Sequence, residues 1–397
     1  MKGIEIHTEN ALHIPSSTGT MSRSGIREIM DLALARPGCI RLELGEPDFP
    51  TAPHIVEAAN AAARAGHTKY TTTMGLPVLR EALSEKIAQR NGFNVDAQRI
   101  LVSAGAVQGL YASLVGLVDP GDNILLPSPG WPNYLMMCRL LRAVPRSYPL
   151  RQESGYLPEI ADLEEMIDER TRVIVLNSPS NPLGAVINRI RMQEIVDFAA
   201  RHGLWIVSDE CYDELTYESE HVSAAALDER DAVISVFSFS KTYAMTGWRI
   251  GYAALPRAVA TTLSNVHEAM LSCVAMPTQL AALEAVTGPQ DVVRDMRTTY
   301  RQRRDLALAD LASYGVPAFT PAGAFYLWID VSASGLGGDG FARKLVETHA
   351  VSVAPGAAFG PEGASTVRMS IAAGTESIRE GVRRVAQLIG EEQGRML

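Results

Sequence analysis

Six short runs of apolar, largely β-branched residues recur through the middle of the chain, at 100–103, 123–126, 173–176, 204–208, 232–237 and 249–255. Each is near-continuously hydrophobic rather than alternating, as expected of strands covered on both faces. Helical patterns separate them, at 108–118, 160–168 and 191–202. Strands alternating with helices in this way predict an α/β fold, a large domain whose mostly parallel sheet is flanked by crossover helices. A second region follows. Residues 291–314 read as a long charged amphipathic helix bridging two domains. After it, 324–331 and 367–371 read as strands and 341–348 as a helix, which makes a smaller α+β domain. The one loose segment is 332–340, rich in Gly and Ser. The expected division is an N-terminal segment with part of the small domain at 1–50, the large domain at 51–290, and the small domain with its linking helix at 291–397.

Composition removes several classes of function. A chain of 397 residues has room for about two to three domains and a large core. Its 36 Lys and Arg against 45 Asp and Glu give a net charge of −9, so nucleic acid, which needs a basic face, is not an expected partner. Residues 1–17 lack a basic stretch followed by an apolar one, and no run approaches the ~20 apolar residues of a membrane span. A cytoplasmic protein without membrane contact is expected. Cys39, Cys138, Cys211 and Cys273 are scattered and read as reduced thiols. The eight histidines show no ligand spacing, so no metal is expected.

The chemistry concentrates in loops that follow the strand candidates, where open α/β sheets bind ligands. Lys241 lies just past the run 232–237, bracketed by Ser238, Ser240 and Thr242, with Arg249 eight positions on. An amine nucleophile needs a lowered pKa, and a nearby cation or a dry pocket supplies it. Arg249 can also hold a phosphate in two hydrogen bonds. The grouping suits a Schiff-base lysine beside a phosphate site. After 204–208 come Asp209 and Tyr212, a carboxylate for a ring nitrogen and a hydroxyl for a ring oxygen, or equally a helix cap with a packed tyrosine. After 173–176, Asn177-Ser-Pro-Ser-Asn-Pro-Leu-Gly184 is a rigid turn that can aim Asn181. Gly105, Ala106 and Val107 open a helix whose N–H groups can approach a phosphate. Trp131, set among prolines, can stack on a flat ring. Arg368, in the last strand pattern, is solvent-facing or a carboxylate clamp.

Taken together, from Leu42-Glu-Leu-Gly-Glu-Pro-Asp-Phe-Pro-Thr51 to Val367-Arg-Met-Ser370, these motifs stand in the order of one family across nearly the whole chain. The chain resembles the fold-type I pyridoxal phosphate enzymes, specifically the class I and II aminotransferases of the aspartate aminotransferase superfamily. The resemblance implies pyridoxal 5'-phosphate as cofactor and ping-pong transfer of an amino group from an L-amino acid to a 2-oxo acid, in amino acid metabolism. It implies Lys241 as Schiff base and proton shuttle, Asp209 on the pyridine nitrogen, Tyr212 and Asn181 on the phenolic oxygen, and Trp131 stacked on the ring. Arg249, Ser238, Ser240 and the backbone at Gly105, Ala106 and Val107 would hold the phosphate. Arg368 would clamp the substrate carboxylate with Asn181 and the backbone near Gly45. Tyr70, in Lys69-Tyr-Thr-Thr-Thr-Met-Gly-Leu76, resembles the tyrosine that reaches the phosphate of a neighbouring subunit, which implies a homodimer.

Three departures stand out: Leu183 replaces the family's usual threonine, Ala106 and Val107 leave the phosphate loop dependent on backbone donors, and 109–118 carries no Lys or Arg, which speaks against an aspartate specialist. Met21, Ser22, Arg23, Ile26, Tyr134 and Phe325 are expected near the pocket mouth by the same analogy, with Arg23 free to meet a distal carboxylate. The apolar remainder favours alanine, aliphatic or aromatic donors with 2-oxoglutarate or pyruvate as acceptor. The alternative within the fold is a β-eliminating lyase, which needs the same cofactor residues. A ligand-sensing regulator on this fold would add a basic DNA-binding domain, and the start of the chain is too short and polar for one.

Overall fold

Seven strands build the central sheet of the computed structural model, which describes residues 25–394. After the two-residue β1 (Ile40–Arg41) these are β2 (Ile100–Ser103), β3 (Asn123–Ser128), β4 (Val144–Pro149), β5 (Thr171–Asn177), β6 (Trp205–Asp209), β7 (Val233–Ser238) and β8 (Gly251–Ala254). They are hydrogen-bonded in the order β2-β8-β7-β6-β5-β3-β4. From β7 across to β4 every pairing is parallel, while β8 runs antiparallel to both its neighbours. The reversal follows from the connector between β7 and β8, which holds only one helical turn, Phe239–Thr242. Strands β2, β3, β7 and β8 are buried at every residue, in keeping with helices on both faces.

The six strands read from sequence are all present, with ends shifted by at most two residues. Strand β4 has no counterpart among them, because Val144-Pro-Arg-Ser-Tyr-Pro149 is neither apolar nor proline-free; proline is tolerated here because β4 is the sheet edge. Arg249 and Ile250, read as the start of a strand, precede β8 instead, and Arg249 takes a left-handed φ of 52° that turns its side chain out of the sheet register.

The second layer is the antiparallel sheet β12-β13-β10-β9, formed by β9 (Ala318–Phe319), β10 (Tyr326–Asp330), β12 (Ala354–Pro355) and β13 (Thr366–Ser370). Beside it, β1 pairs in parallel with β11 (Val351–Ser352). The helix Asp291–Ser313 places Met296 and Tyr300 in the core of the smaller sheet and Val293 in a core of the large sheet, and Arg303 reaches Asp48 through two bonds of 2.7 and 2.8 Å. Leu42, Met296, Tyr300, Phe325, Val367 and Leu388 share one core, and three further cores pack on the large sheet. The segment 332–340 is not loose. Ser334 is buried and its hydroxyl donates to the Val331 carbonyl, and a helix, Gly337–His349, begins within the glycine run. No helix among the described residues is long and apolar enough to cross a membrane.

One buried ion pair braces β6 from below. The helix Pro77–Lys86 ends in a π turn, Ile87–Asn91. In an α-helix residues five apart point about 140° away from each other, and widening the turn brings them to one side. Lys86 and Asn91 therefore meet, Nζ to Oδ1 at 3.0 Å, and both bond the Asp213 carboxylate. Asp213's charge holds the Lys86 ammonium above its usual range although burial opposes this, and Lys86 holds the Asp213 carboxyl below its own. Lys86→Met leaves that carboxylate stranded and is expected to cost about 3–5 kcal/mol in urea unfolding. A loss below about 1 kcal/mol would show that the pair only breaks even with its desolvation.

Candidate active site

The carboxyl ends of β5, β6 and β7, the turn after β2 and the start of the helix Pro132–Leu141 enclose a cleft of about 500 Å³. Gly45, Ala106, Val107, Trp131, Asn181, Asp209, Tyr212, Ser238, Ser240, Lys241, Arg249 and Arg368 all line it. Residues spread over more than 320 positions of sequence thus meet in one space.

Lys241 sits in the helical turn after β7 and is the one lysine lining the cleft among the described residues. Its Nζ donates to the Gly45 carbonyl at 2.6 Å. Burial pushes this amine down to about 8, with Arg368 and Arg249 adding to the effect and Cys211 and Glu46 opposing it. The dry pocket, more than the neighbouring cation, makes the amine a nucleophile near neutral pH. Gly45 must be glycine, since a Cβ there would lie 1.9 Å from the Tyr326 hydroxyl.

Arg249 lies against the turn after β2. Its Nη1 donates to the Thr246 carbonyl at 2.7 Å, and its Nη2 would lie 2.4 Å from a Cβ at Gly105, which has a φ of +76°. Gly105 does not line the cleft; it is the floor that lets the guanidinium stand beside the first N–H groups of the helix Ala106–Leu117. The Ser238 hydroxyl accepts the Ser240 N–H at 3.1 Å. One guanidinium, two serine hydroxyls and a helix start face the same corner.

Asp209, the last residue of β6, is buried and accepts from the Tyr134 hydroxyl at 2.6 Å and from the Cys211 N–H at 3.2 Å. Burial pushes its carboxyl above the usual range despite those bonds. Burial likewise holds the Tyr134 and Tyr212 hydroxyls and the Cys211 thiol protonated. Tyr212 shares a 2.7 Å hydrogen bond with Tyr326. Trp131 meets Tyr134 edge to face, with ring centroids 5.4 Å apart.

On the opposite wall Arg368 projects from β13. It is buried, lies 4.4 Å from the Tyr326 ring and 4.8 Å from that of Phe359, and donates to Asn181 Oδ1 at 2.9 Å and to the Glu43 carbonyl. Its Nε has no partner among the described residues. The solvent-facing reading of Arg368 is therefore wrong. A guanidinium with an unspent donor, held by an amide and a carbonyl and by no carboxylate among the described residues, can receive an anion.

Some expectations fall elsewhere. Phe325 is fully buried between Tyr212, Tyr300 and Tyr326 and is core, not pocket mouth. Tyr134 is in the cleft but buried against Asp209, while Ile26 does line the opening. Tyr70 is 88% exposed and takes no part in its own chain's cleft. Met21, Ser22 and Arg23 lie outside the described residues. Sequence reasoning missed Tyr326, Cys211 and Arg27, all of which line the cleft. For Tyr326 the sequence signal is a tyrosine within the strand pattern 324–331; its register opposite Ser370, two residues from Arg368, comes from the fold.

Residues 37–385 match the family model "Aminotransferase class I and II". The chain belongs to the class I and II aminotransferases. This aminotransferase is 40% identical over 356 residues to a probable aspartate/prephenate aminotransferase of Aquifex aeolicus, covering 87% of this chain and 90% of that one. It is 37% identical over 355 residues to the arginine–pyruvate transaminase AruH of Pseudomonas aeruginosa, covering 89% and 90%. Among solved structures it is similar to aspartate aminotransferase from Thermus thermophilus with maleate, at 34% identity and a TM-score of 0.91, covering 95% of this chain and all of the other. The aminotransferase fold, with its mostly parallel sheet and second α+β layer, is the one expected from sequence.

Proposed function

We propose that the cleft holds pyridoxal 5'-phosphate and that Lys241 anchors it as a Schiff base while this aminotransferase moves an amino group from an L-amino acid to a 2-oxo acid. The observation that carries this reading is one amine in a single cleft with two guanidinium groups, Arg249 and Arg368, that have no carboxylate partner among the described residues. The donor set suits the cofactor. Arg249, the Ser238 and Ser240 hydroxyls and the N–H groups of Ala106 and Val107 suit a phosphate dianion. Asp209, buried and with its carboxyl raised, would pair with a protonated ring nitrogen, whose charge would favour the carboxylate form. Tyr212 and Asn181, which line the cleft, would bond the phenolic oxygen, and Trp131 would stack on the ring.

When bound, the cofactor supplies an aldehyde for condensation with amines and a conjugated ring that accepts the electron pair left at the substrate Cα. The chain's residues do the rest. Arg368 fixes the substrate carboxylate, with Asn181 holding the guanidinium in plane. The Lys241 amine would take the proton from the substrate Cα and return it, a role that general-base catalysis makes worth roughly 10²- to 10⁴-fold. Arg27 also lines the cleft and bonds only Met30 Sδ among the described residues, so it takes the part expected of Arg23 as the contact for a distal carboxylate. Ile26 and Leu44 beside it offer apolar contact to uncharged side chains. The same reading includes a homodimer in which the exposed Tyr70 reaches the neighbouring site, a large domain at 51–290, small-domain segments at 1–50 and 291–397, and a cytoplasmic location.

Holoenzyme mixed with single amino acids and no acceptor tests the reaction. Stoichiometric conversion of the cofactor to its amine form is the expected result, fastest with a donor that the panel of acidic, aliphatic and aromatic amino acids will identify. Catalytic release of pyruvate and ammonia would instead establish the lyase.

A further inference from the structure

The turn after β2 is held by a relay that begins on another helix. The Ala104 N–H donates to Gln108 Oε1 at 2.7 Å, and Gln108 Nε2 lies 3.0 Å from Nδ1 of His267, in the helix Ala260–Met270. His267 is fully buried, and its Nε2 has no partner among the described residues. A backbone N–H can only donate, so the Gln108 carbonyl must face Ala104 and its amide NH₂ must face His267. Nδ1 of His267 is then an acceptor, and the imidazole is neutral with its proton on Nε2. Burial lowers the His267 pKa, in agreement with that tautomer.

The bond falls in an informative place. Gln108 is the third residue of the helix Ala106–Leu117, where a glutamine commonly reaches back to the capping residue's own N–H. Here it reaches one residue further, to Ala104. The Gly105 N–H is taken by the Ser103 carbonyl at 2.8 Å, and the Gly105 carbonyl by the Ser103 hydroxyl at 3.0 Å. The polar groups just ahead of the helix are thus satisfied within the turn. The N–H groups of Ala106 and Val107, which line the cleft, have no acceptor among the described residues.

We infer that Gln108 and His267 are positioning residues for the anion corner of the cleft: they fix the turn so that the Ala106 and Val107 N–H groups and Arg249 converge on one phosphate. The inference rests on the cofactor reading above. Gln108 does not line the cleft, and its effect passes through the backbone at Ala104. Helix Ala260–Met270 is the fixed support, packed so closely that a Cβ at Gly116 would lie 2.4 Å from Leu263 Cδ2.

The test compares binding of pyridoxal phosphate and of pyridoxal, which lacks the phosphate, to the full-length chain stripped of cofactor. In the unaltered protein pyridoxal phosphate should bind far more tightly. Gln108→Leu and His267→Phe are each expected to weaken pyridoxal phosphate about tenfold, the loss of one buried hydrogen bond with its partner left unsatisfied, while pyridoxal binding stays unchanged. Gln108→Glu keeps the acceptor for Ala104 and should restore most of the affinity, accompanied by a move of the His267 proton to Nδ1, visible by ¹⁵N NMR. Equal loss for both ligands, or no loss, overturns the inference. If the unaltered protein itself does not distinguish the two ligands, it is the phosphate assignment that fails.

Discussion

Lys241→Ala is expected to lose nearly all turnover and, with it, the visible absorbance of a lysine-bound cofactor. The proton transfer alone accounts for roughly 10²- to 10⁴-fold, and losing the covalent anchor adds to it. A protein that keeps both absorbance and turnover after this change overturns the role given to Nζ. The same side chain has a second, separable signature in the cofactor-free chain. Its amine sits at about 8 in the folded state against an ordinary 10.5, because burial disfavours the charged form. A basic group lowered on folding burdens the folded state most below the folded value, and the burden fades as pH rises from about 8 to about 10.5, where the unfolded chain binds the extra proton. Lys241→Met, similar in length and uncharged, should therefore stabilise the cofactor-free protein at pH 7 by up to about 3 kcal/mol and by nothing measurable near pH 11. Urea unfolding at the two pH values checks the sign.

Arg368→Lys is expected to be nearly as damaging to catalysis as removal of the whole side chain, lowering kcat/KM by roughly 10²-fold or more for both amino and oxo acids. Truncating one partner of a desolvated charge pair costs about 2–5 kcal/mol, and each 1.4 kcal/mol is tenfold. Lysine keeps the charge but not the planar fork, so it cannot hold Asn181 Oδ1 and the Glu43 carbonyl while still offering donors to a carboxylate. The fault should lie in KM more than in kcat, and the cofactor spectrum should not change. Amines lacking the carboxylate separate binding from architecture. They should react poorly but equally with both proteins, and a matching 10²-fold loss for them would mark Arg368 as a structural brace for β13.

Much of the site was legible before folding because its chemistry is carried by rare residue types next to strong strand signals. Lys241, Asp209 and Asn181 each follow a run that could only be a buried strand, and the carboxyl ends of such strands face one edge of the sheet. Arg368 was legible as a residue but not in its direction. Outward and inward arginines look alike in Thr-Val-Arg-Met-Ser, and the choice rests on Tyr326, Phe359 and Asn181, which come from three other segments. Phe325 was misplaced because it precedes β10 and packs wholly within the core, whereas Tyr326, the first residue of β10, shares that core and also lines the cleft. Strand β4 escaped because an edge strand can carry two prolines and lack a hydrophobic run.

By itself the sequence determined the order of strands and helices, the amine, and the pair of arginines, since these depend on local periodicity and on side chains whose chemistry few others share. The tertiary structure alone decided how those groups are tuned. The amine at about 8, the acid held by Tyr134, the tyrosine pair and the Gln108 relay all depend on burial and on partners from distant segments. Desolvation and hydrogen bonding are properties of an enclosed space, and a chain has none until it folds.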